Sequence, residues 1–246
     1  MNARPSDGSI VVLVGLTAVV FSALYFVSDV IELFQGGFST PQLALTYAAE
    51  AAIPFFVLGL YAAQRARCGW LGFVGAGIYA YTFVFFTGTV VYALVRHTPD
   101  WETLRTEFGG WLTVHSVLMV VAGVLLGIAV VRAKVLPRWT GITLIVGMVL
   151  MAATSAMPDA AGTVSAGVRD LAFAGMGVSI LRRRFVRRGR AARAFGPATT
   201  QRTVVTSASV PTTARTLQRE HSHRIHRLAA RWSHHQPLPP VPGSGA

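Results

Sequence analysis

The chain has 246 residues, of which 52% are hydrophobic and only 13% are charged. Soluble domains carry about 25% charged residues, so this composition excludes an ordinary soluble globular protein. The net charge of +12 arises entirely at the C-terminal end: residues 1–181 hold nine basic and nine acidic side chains, whereas residues 182–246 hold thirteen arginines and one acidic side chain.

Six apolar runs follow one another along residues 1–181. A helix needs about 20 apolar residues to cross about 30 Å of hydrocarbon. The runs are 10–31, 43–63, 70–95, 111–131, 139–157 and 163–181. The first is longer than a signal-peptide core, so we expect it to be retained as a span. The sequence predicts an all-α fold, a polytopic membrane bundle with six transmembrane helices, followed by a basic, mostly disordered cytoplasmic tail at 182–246.

The basic residues between the runs predict the orientation of the bundle. Cytoplasmic loops of membrane proteins are enriched in lysine and arginine. An N-terminus in the cytoplasm gives that side Arg4, Arg65, Arg67, Arg132, Lys134 and Arg138. The opposite side then carries only Arg96 and Arg105. Because these charges require an even number of spans, they support the short fifth run and the charged sixth run, and they place both termini in the cytoplasm of a plasma-membrane protein.

A repeated spacing of glycine and arginine suggests that the helices form three related hairpins. Gly59, Gly127 and Gly177 each lie five or six residues before an arginine in a helix that would run from outside to inside. Internal duplication would produce this pattern. The alternative is that glycine is common in membrane helices and that the arginines follow the charge rule alone.

The segments GLYAAQ, GWLGFVG and GIAVVRAKVLPRWTGITLIVG resemble the small, uncharacterised six-span integral membrane proteins of actinobacteria. The shared features are an arginine, a V-L-P-R-W-x-G turn and a glycine-spaced helix. The resemblance covers roughly residues 10–184 and excludes the tail. It implies the six-span architecture, but the family has no assigned activity, so it implies no reaction.

Ionisable residues within the apolar runs form the candidate site. Each costs about 2.5–3.5 kcal/mol to place inside a membrane, so each needs a reason. They are Glu50, Arg169, His115, Asp170, Asp29 and Glu32, and all belong to the predicted outer half of the bundle. Ser22 and Tyr25 share a helical face with Asp29 and Glu32. Glu50 and Arg169 lie at similar predicted depths of about 10 Å and should be neighbours. Asp170 should face another helix or the headgroups, because adjacent helical residues diverge by about 100°.

These residues leave three functions open. The leading hypothesis is an integral membrane protein with a structural or partner-binding role, in which Glu50 and Arg169 form one ion pair that fixes helix register. The alternative is a small-solute or proton-coupled transporter with Glu50 as carrier and His115 as its partner. A membrane-embedded enzyme is the third, although no nucleophile and base or nucleotide-binding motif is recognisable. We expect no cofactor and no metal site.

The tail is expected to contact the membrane surface. Seven arginines follow the last run: Arg182, Arg183, Arg184, Arg187, Arg188, Arg190 and Arg193. Basic residues next to a span bind anionic headgroups at about 1 kcal/mol each, so lipid is the expected partner rather than nucleic acid. Residues 213–232 have the pattern of a weak amphipathic helix that includes several histidines. The P-L-P-P-V-P segment near the C-terminus has the composition of a polyproline II ligand for a protein partner.

Overall fold

The computed structural model describes residues 6–155, 157 and 159–194, and every regular element in this part of the chain is a helix. The helices are α1 (Ser6–Gln35), α2 (Thr40–Ala62), α3 (Arg65–Arg96), α4 (Trp101–Phe108), α5 (Gly110–Ala133), α6 (Arg138–Thr154) and α7 (Asp159–Ala194). The all-α prediction is confirmed. Of the two compact units of the chain, Met1–Gly196 and Pro197–Ala246, the second lies outside the described residues. The predicted amphipathic segment, the histidines and the proline-rich terminus lie there.

The six longer helices form a closed ring. Each packs against the next one along the chain, and α7 packs back against α1. Neighbours at the closure run antiparallel: Gly15 lies against Gly177, and Phe26 lies against Gly167 further along both helices. A large apolar core that includes the rings of Phe56, Tyr79, Phe83 and Phe173 fills the space between the helices.

Five helices are long and apolar enough to cross a membrane: Ser9–Gln35, Thr40–Ala62, Arg65–Arg96, Gly110–Ala133 and Ala160–Arg184. Their outward faces carry exposed apolar side chains such as Leu13, Phe55, Val84, Val117 and Leu171, so the helices are apolar towards both the core and the outside, as expected for membrane spans. The sixth, Arg138–Thr154, has 17 residues and rises about 25 Å. The chain is thus a multi-pass helical protein, and the sixth span stays a prediction.

Three local features differ from the predicted boundaries. The loop between the third and fourth runs contains the short helix α4, whose first turn is capped by Asp100; the Thr103 amide donates to this carboxylate over 2.8 Å and lowers its pKa. At the start of α3, Gly69 has φ +58°, so a short turn precedes the helix from Trp70. Lastly, α7 continues to Ala194, past the predicted start of the disordered tail at residue 182.

The two ends of the ring carry different charges. At one end, which we call the basic end, α2 meets α3, α5 meets α6, and Arg65, Arg67, Arg132, Lys134 and Arg138 are all exposed. The other end, which we call the α4 end, carries Arg96 and Arg105 together with acidic side chains on and around α4. From Trp111 to Arg132, α5 rises about 31 Å, close to the thickness of the hydrocarbon layer.

Glycines allow close approach of backbones at the closure between α1 and α7. A Cβ at Gly177 would lie 2.6 Å from the Gly15 carbonyl oxygen and 2.9 Å from a Val19 methyl group. The Gly15 backbone is in turn within reach of Gly177, so the contact is reciprocal. Because the nearest of these atoms belongs to the Gly15 backbone, a larger residue at position 177 must push the helices apart.

We therefore expect Gly177→Leu to lower the free energy of unfolding by about 1–3 kcal/mol, the usual cost of overpacking. Gly88→Leu on α3 is the matched control, because no atom lies within 4 Å of a Cβ built there. Thermal unfolding of the two purified variants in the same detergent measures the difference. Equal stabilities would contradict the tight closure between α1 and α7.

Candidate functional site

Five buried polar residues near the middle of the ring form what we call the central cluster: Tyr25, Glu50, Tyr79, Arg169 and Asp170. Four helices supply these residues: α1 carries Tyr25, α2 carries Glu50, α3 carries Tyr79, and α7 carries Arg169 and Asp170. Their side chains are buried, with exposed fractions of 5% or less for all except the half-buried Tyr25. Polar and ionisable side chains are costly inside a membrane, so the burial of these five residues needs an explanation.

Tyr25 connects the two residues that the sequence predicts to be neighbours. Its hydroxyl donates a hydrogen bond to Glu50 Oε1 over 2.8 Å, while the Arg169 guanidinium lies over its ring at 4.6 Å from the centroid. Among the described residues, no ion pair joins Glu50 and Arg169 directly. The predicted proximity is therefore mediated by an aromatic side chain, and the predicted direct pair is wrong.

Arg169 instead forms its ion pair with the next residue in the chain. Arg169 Nε donates to Asp170 Oδ1 over 2.9 Å, and both side chains are almost fully buried. The prediction that Asp170 faces another helix or the headgroups leaves out this pair, because the 100° rule describes where side chains leave the helix, and the arginine side chain is long enough to reach its neighbour. Arg169 Nη1 also lies 3.8 Å from Met151 Sδ on α6, and the Gly147 backbone packs directly against that of Arg169.

Within the described part of the chain, several polar atoms in and beside the cluster have no hydrogen-bond partner. They are Glu50 Oε2, Tyr79 OH, Arg169 Nη2, Asp170 Oδ2 and, on the adjacent turn of α1, Ser22 Oγ. A buried polar atom without a partner costs about 1–3 kcal/mol. Ser22 and Asp170 lie between the Gly15–Gly177 and Phe26–Gly167 contacts of α1 with α7, which puts these two residues at about the same level of the ring.

The depth of the cluster differs from the prediction because α2 begins earlier than expected. Glu50 lies about 15 Å along the helix from Thr40 and about 18 Å from Ala62. It is thus near the middle of α2. Pro54 follows one turn later and has no amide hydrogen to donate to the Glu50 carbonyl, so the helix backbone is also weakened at this level.

His115 does not belong to the central cluster. Its Nδ1 lies 2.8 Å from the Trp111 carbonyl oxygen, its Nε2 lies 3.2 Å from the Tyr81 hydroxyl, and its ring stacks on Phe85. Both ring nitrogens are therefore occupied by groups of α3 and α5. The structure does not support the predicted partnership of His115 with Glu50.

A second group of polar side chains lies between α1 and α2, closer to the α4 end, and we call it the polar seam: Ser28, Glu32, Gln42 and Thr46. Gln42 Nε2 donates to Glu32 Oε2 over 3.1 Å and to Thr46 Oγ1 over 3.1 Å. The Ser28 and Thr46 hydroxyls are 2.6 Å apart. Asp29 lies half-buried on the neighbouring face of α1.

Only Glu32 in the seam is ionisable, so a search for intramembrane charges does not find Ser28, Gln42 and Thr46. The signal that could have found them is a glutamine near the start of α2, opposite a serine on α1. Tyr79 of the central cluster was missed for a related reason, because a tyrosine in an apolar run resembles a core aromatic.

The arginines that follow the last span start at the basic end. Arg182 and Arg183 are exposed, and Arg184 is half-buried. The remaining predicted lipid contacts, at Arg187, Arg188, Arg190 and Arg193, lie on the helical extension of α7. No family model, curated protein sequence or solved structure matches the chain.

Proposed function

We propose that the chain crosses the cytoplasmic (plasma) membrane six times with both termini in the cytoplasm. α6 supplies the sixth span, since a bilayer thins locally around a short helix at modest cost. The exposed basic residues at α2–α3 and α5–α6 support this orientation through the positive-inside rule. Arg182 and Arg183 then meet the anionic headgroups of the cytoplasmic leaflet.

We propose further that the central cluster is the proton-binding site of a proton-coupled transporter. The observation that carries this proposal is that the cluster has one more acidic than basic side chain and contains buried polar atoms without partners. Glu50 and Asp170 together with Arg169 carry one excess negative charge when all three are ionised, and Glu50 Oε2 has no donor. A single proton on Glu50 neutralises the site and needs no cavity, whereas an excess charge in a low-dielectric interior is expensive.

A structural or partner-binding role is the second candidate, and one observation favours it. The Arg169–Asp170 pair is neutral by itself and is anchored by the contact between α6 and α7 at Gly147. A structural role would use this contact, together with the approach of Arg169 Nη1 to Met151 Sδ on α6, to fix the register of the two helices. It does not explain Glu50, whose charge this pair leaves uncompensated.

Proton movement in reconstituted vesicles tests the transporter proposal. Vesicles loaded with a pH-sensitive dye receive a potassium diffusion potential, first alone and then with single amino acids, carboxylic acids or sugars. We expect the internal pH to change faster with the protein than in empty vesicles of the same lipid. Equal rates under all of these conditions would overturn the proposal and leave the structural role.

A further inference from the structure

The polar seam and the central cluster follow each other along the same pair of helices. Ser28 lies one helical turn from Tyr25 on α1, and Thr46 lies one turn from Glu50 on α2. Residues three and four apart on a helix have Cβ atoms about 5–6 Å apart. Polar groups therefore continue from Glu32, which is half-buried near the α4 end, down to the Tyr25–Glu50 hydrogen bond.

Beyond Ser22, which lies one turn from Tyr25 on α1, the surroundings change to apolar side chains towards the basic end. Phe56, Val57 and Leu60 continue the buried face of α2 towards the basic end, and Met176 and Ile180 do so on α7. The buried residues of α2 beyond Glu50 are all apolar, and just past the end of the helix the buried Gln64 donates from Nε2 to the Leu60 carbonyl. The continuous series of polar side chains therefore reaches Glu50 from the α4 end.

We infer that protons reach Glu50 from the α4 end through the polar seam, with Gln42 as the group that links the entrance at Glu32 to the two hydroxyls. This inference rests on the proposed proton binding at Glu50. Gln42 is suited to this role because its Nε2 contacts three oxygen atoms, Glu32 Oε2, Ser28 Oγ and Thr46 Oγ1. Among the described residues, its own Oε1 has no hydrogen-bond partner. An amide with an unused acceptor in a buried polar region is a place where a water molecule binds.

The charged and titratable groups around Glu50 come from three helices. They are Tyr25, Asp29 and Glu32 on α1, Tyr79 on α3, and Arg169 and Asp170 on α7. Arg169 is the one cation among them. A proton that enters along the seam meets carboxylates first and reaches the arginine last, which favours entry from this end.

Gln42→Leu tests the route, with Gln64→Leu, just past the other end of α2, as the matched control. Both side chains are buried glutamines, but only Gln42 lies between the entrance and Glu50. In the dye-loaded vesicles we expect Gln42→Leu to slow proton movement about tenfold, which corresponds to a barrier higher by about 1.4 kcal/mol. Gln64→Leu should keep the rate of the unmodified protein.

A second measurement separates the route from the binding site. Infrared spectra of the same vesicles should retain the protonated carboxyl band of Glu50 in Gln42→Leu, since the variant changes access and leaves the site intact. Should Gln42→Leu not fold, Ser28→Ala removes one hydroxyl of the same seam and is compared with Thr89→Ala on α3.

Equal rates for the Gln42 and Gln64 variants, in a protein that moves protons, would overturn the route and leave the proposed function standing. Absence of both proton movement and the Glu50 band in the unmodified protein would overturn the two together.

Discussion

Replacement of Arg169 by leucine should reduce the free energy of unfolding by about 3–5 kcal/mol, the cost of removing one partner from a buried ion pair. The variant leaves Asp170 without its 2.9 Å partner and removes the cation that lies over the Tyr25 ring. It also leaves two buried carboxylates in the ring with no positive charge near them. Denaturant unfolding in detergent, followed by tryptophan fluorescence, measures the loss.

Two double variants identify the partner of Arg169. Because Arg169 pairs with Asp170, the Arg169→Leu, Asp170→Asn protein should recover most of the lost stability. Glu50→Gln in the same background should recover less, because Glu50 keeps its hydrogen bond from Tyr25 when Arg169 is absent. The reverse order of rescue would restore the direct Glu50–Arg169 pair that the sequence suggests. Arg105→Leu, an exposed arginine on α4, is the control and should change stability by less than about 0.5 kcal/mol.

The helices could be predicted from the sequence because their signal is strong and local. Long apolar runs place the ends of α1, α2, α3 and α5 within five residues, whereas α7 continues thirteen residues past the end of its run at 181. Helix α4 could not be found in the same way, since Trp101–Phe108 is short and carries charges. Its formation depends on the Asp100 cap and on packing of Leu104 against the end of α3, and the second of these is a tertiary contact.

The sequence predicts which residues belong to the candidate site better than it predicts which of them form ion pairs or hydrogen bonds with one another. The expense of charge in a membrane identifies Glu50, Arg169 and Asp170 without knowledge of their neighbours. Which of them pair depends on side-chain conformation, and Arg169 reaches Asp170 by a bend that residue spacing does not reveal. His115 was placed with Glu50 on depth alone, although its neighbours in the ring are Tyr81 and Phe85.

Under the proposed function, the central cluster would hold the proton among side chains that can still move. Tyr25 binds Glu50 through its hydroxyl and Arg169 through its ring face, so a change of charge on either residue is felt by the other through one side chain. Pro54 interrupts the hydrogen bonding of α2 one turn from Glu50. A helix that lacks a hydrogen bond at this point can bend close to the proton-binding residue. Coupling between a proton and a solute requires such a movement in response to protonation.

Glu50→Gln should abolish proton movement in dye-loaded vesicles while the protein stays folded. Glutamine has nearly the same shape, and its side-chain oxygen still accepts the Tyr25 hydrogen bond, so we expect the free energy of unfolding to change by less than about 1 kcal/mol. The amide cannot bind and release a proton at neutral pH. The rate should fall to that of empty vesicles, and the protonated carboxyl band in the infrared spectrum should disappear.

Glu102→Gln is the matched control for this variant, because Glu102 is an exposed carboxylate on α4 outside the cluster. It should retain both the rate and the band. A folded Glu50→Gln protein that still moves protons at the original rate would remove Glu50 from the path. A Glu50→Gln protein that loses its stability together with its activity would instead favour a structural role, in which the Glu50 carboxyl is needed for folding in addition to the Arg169–Asp170 pair.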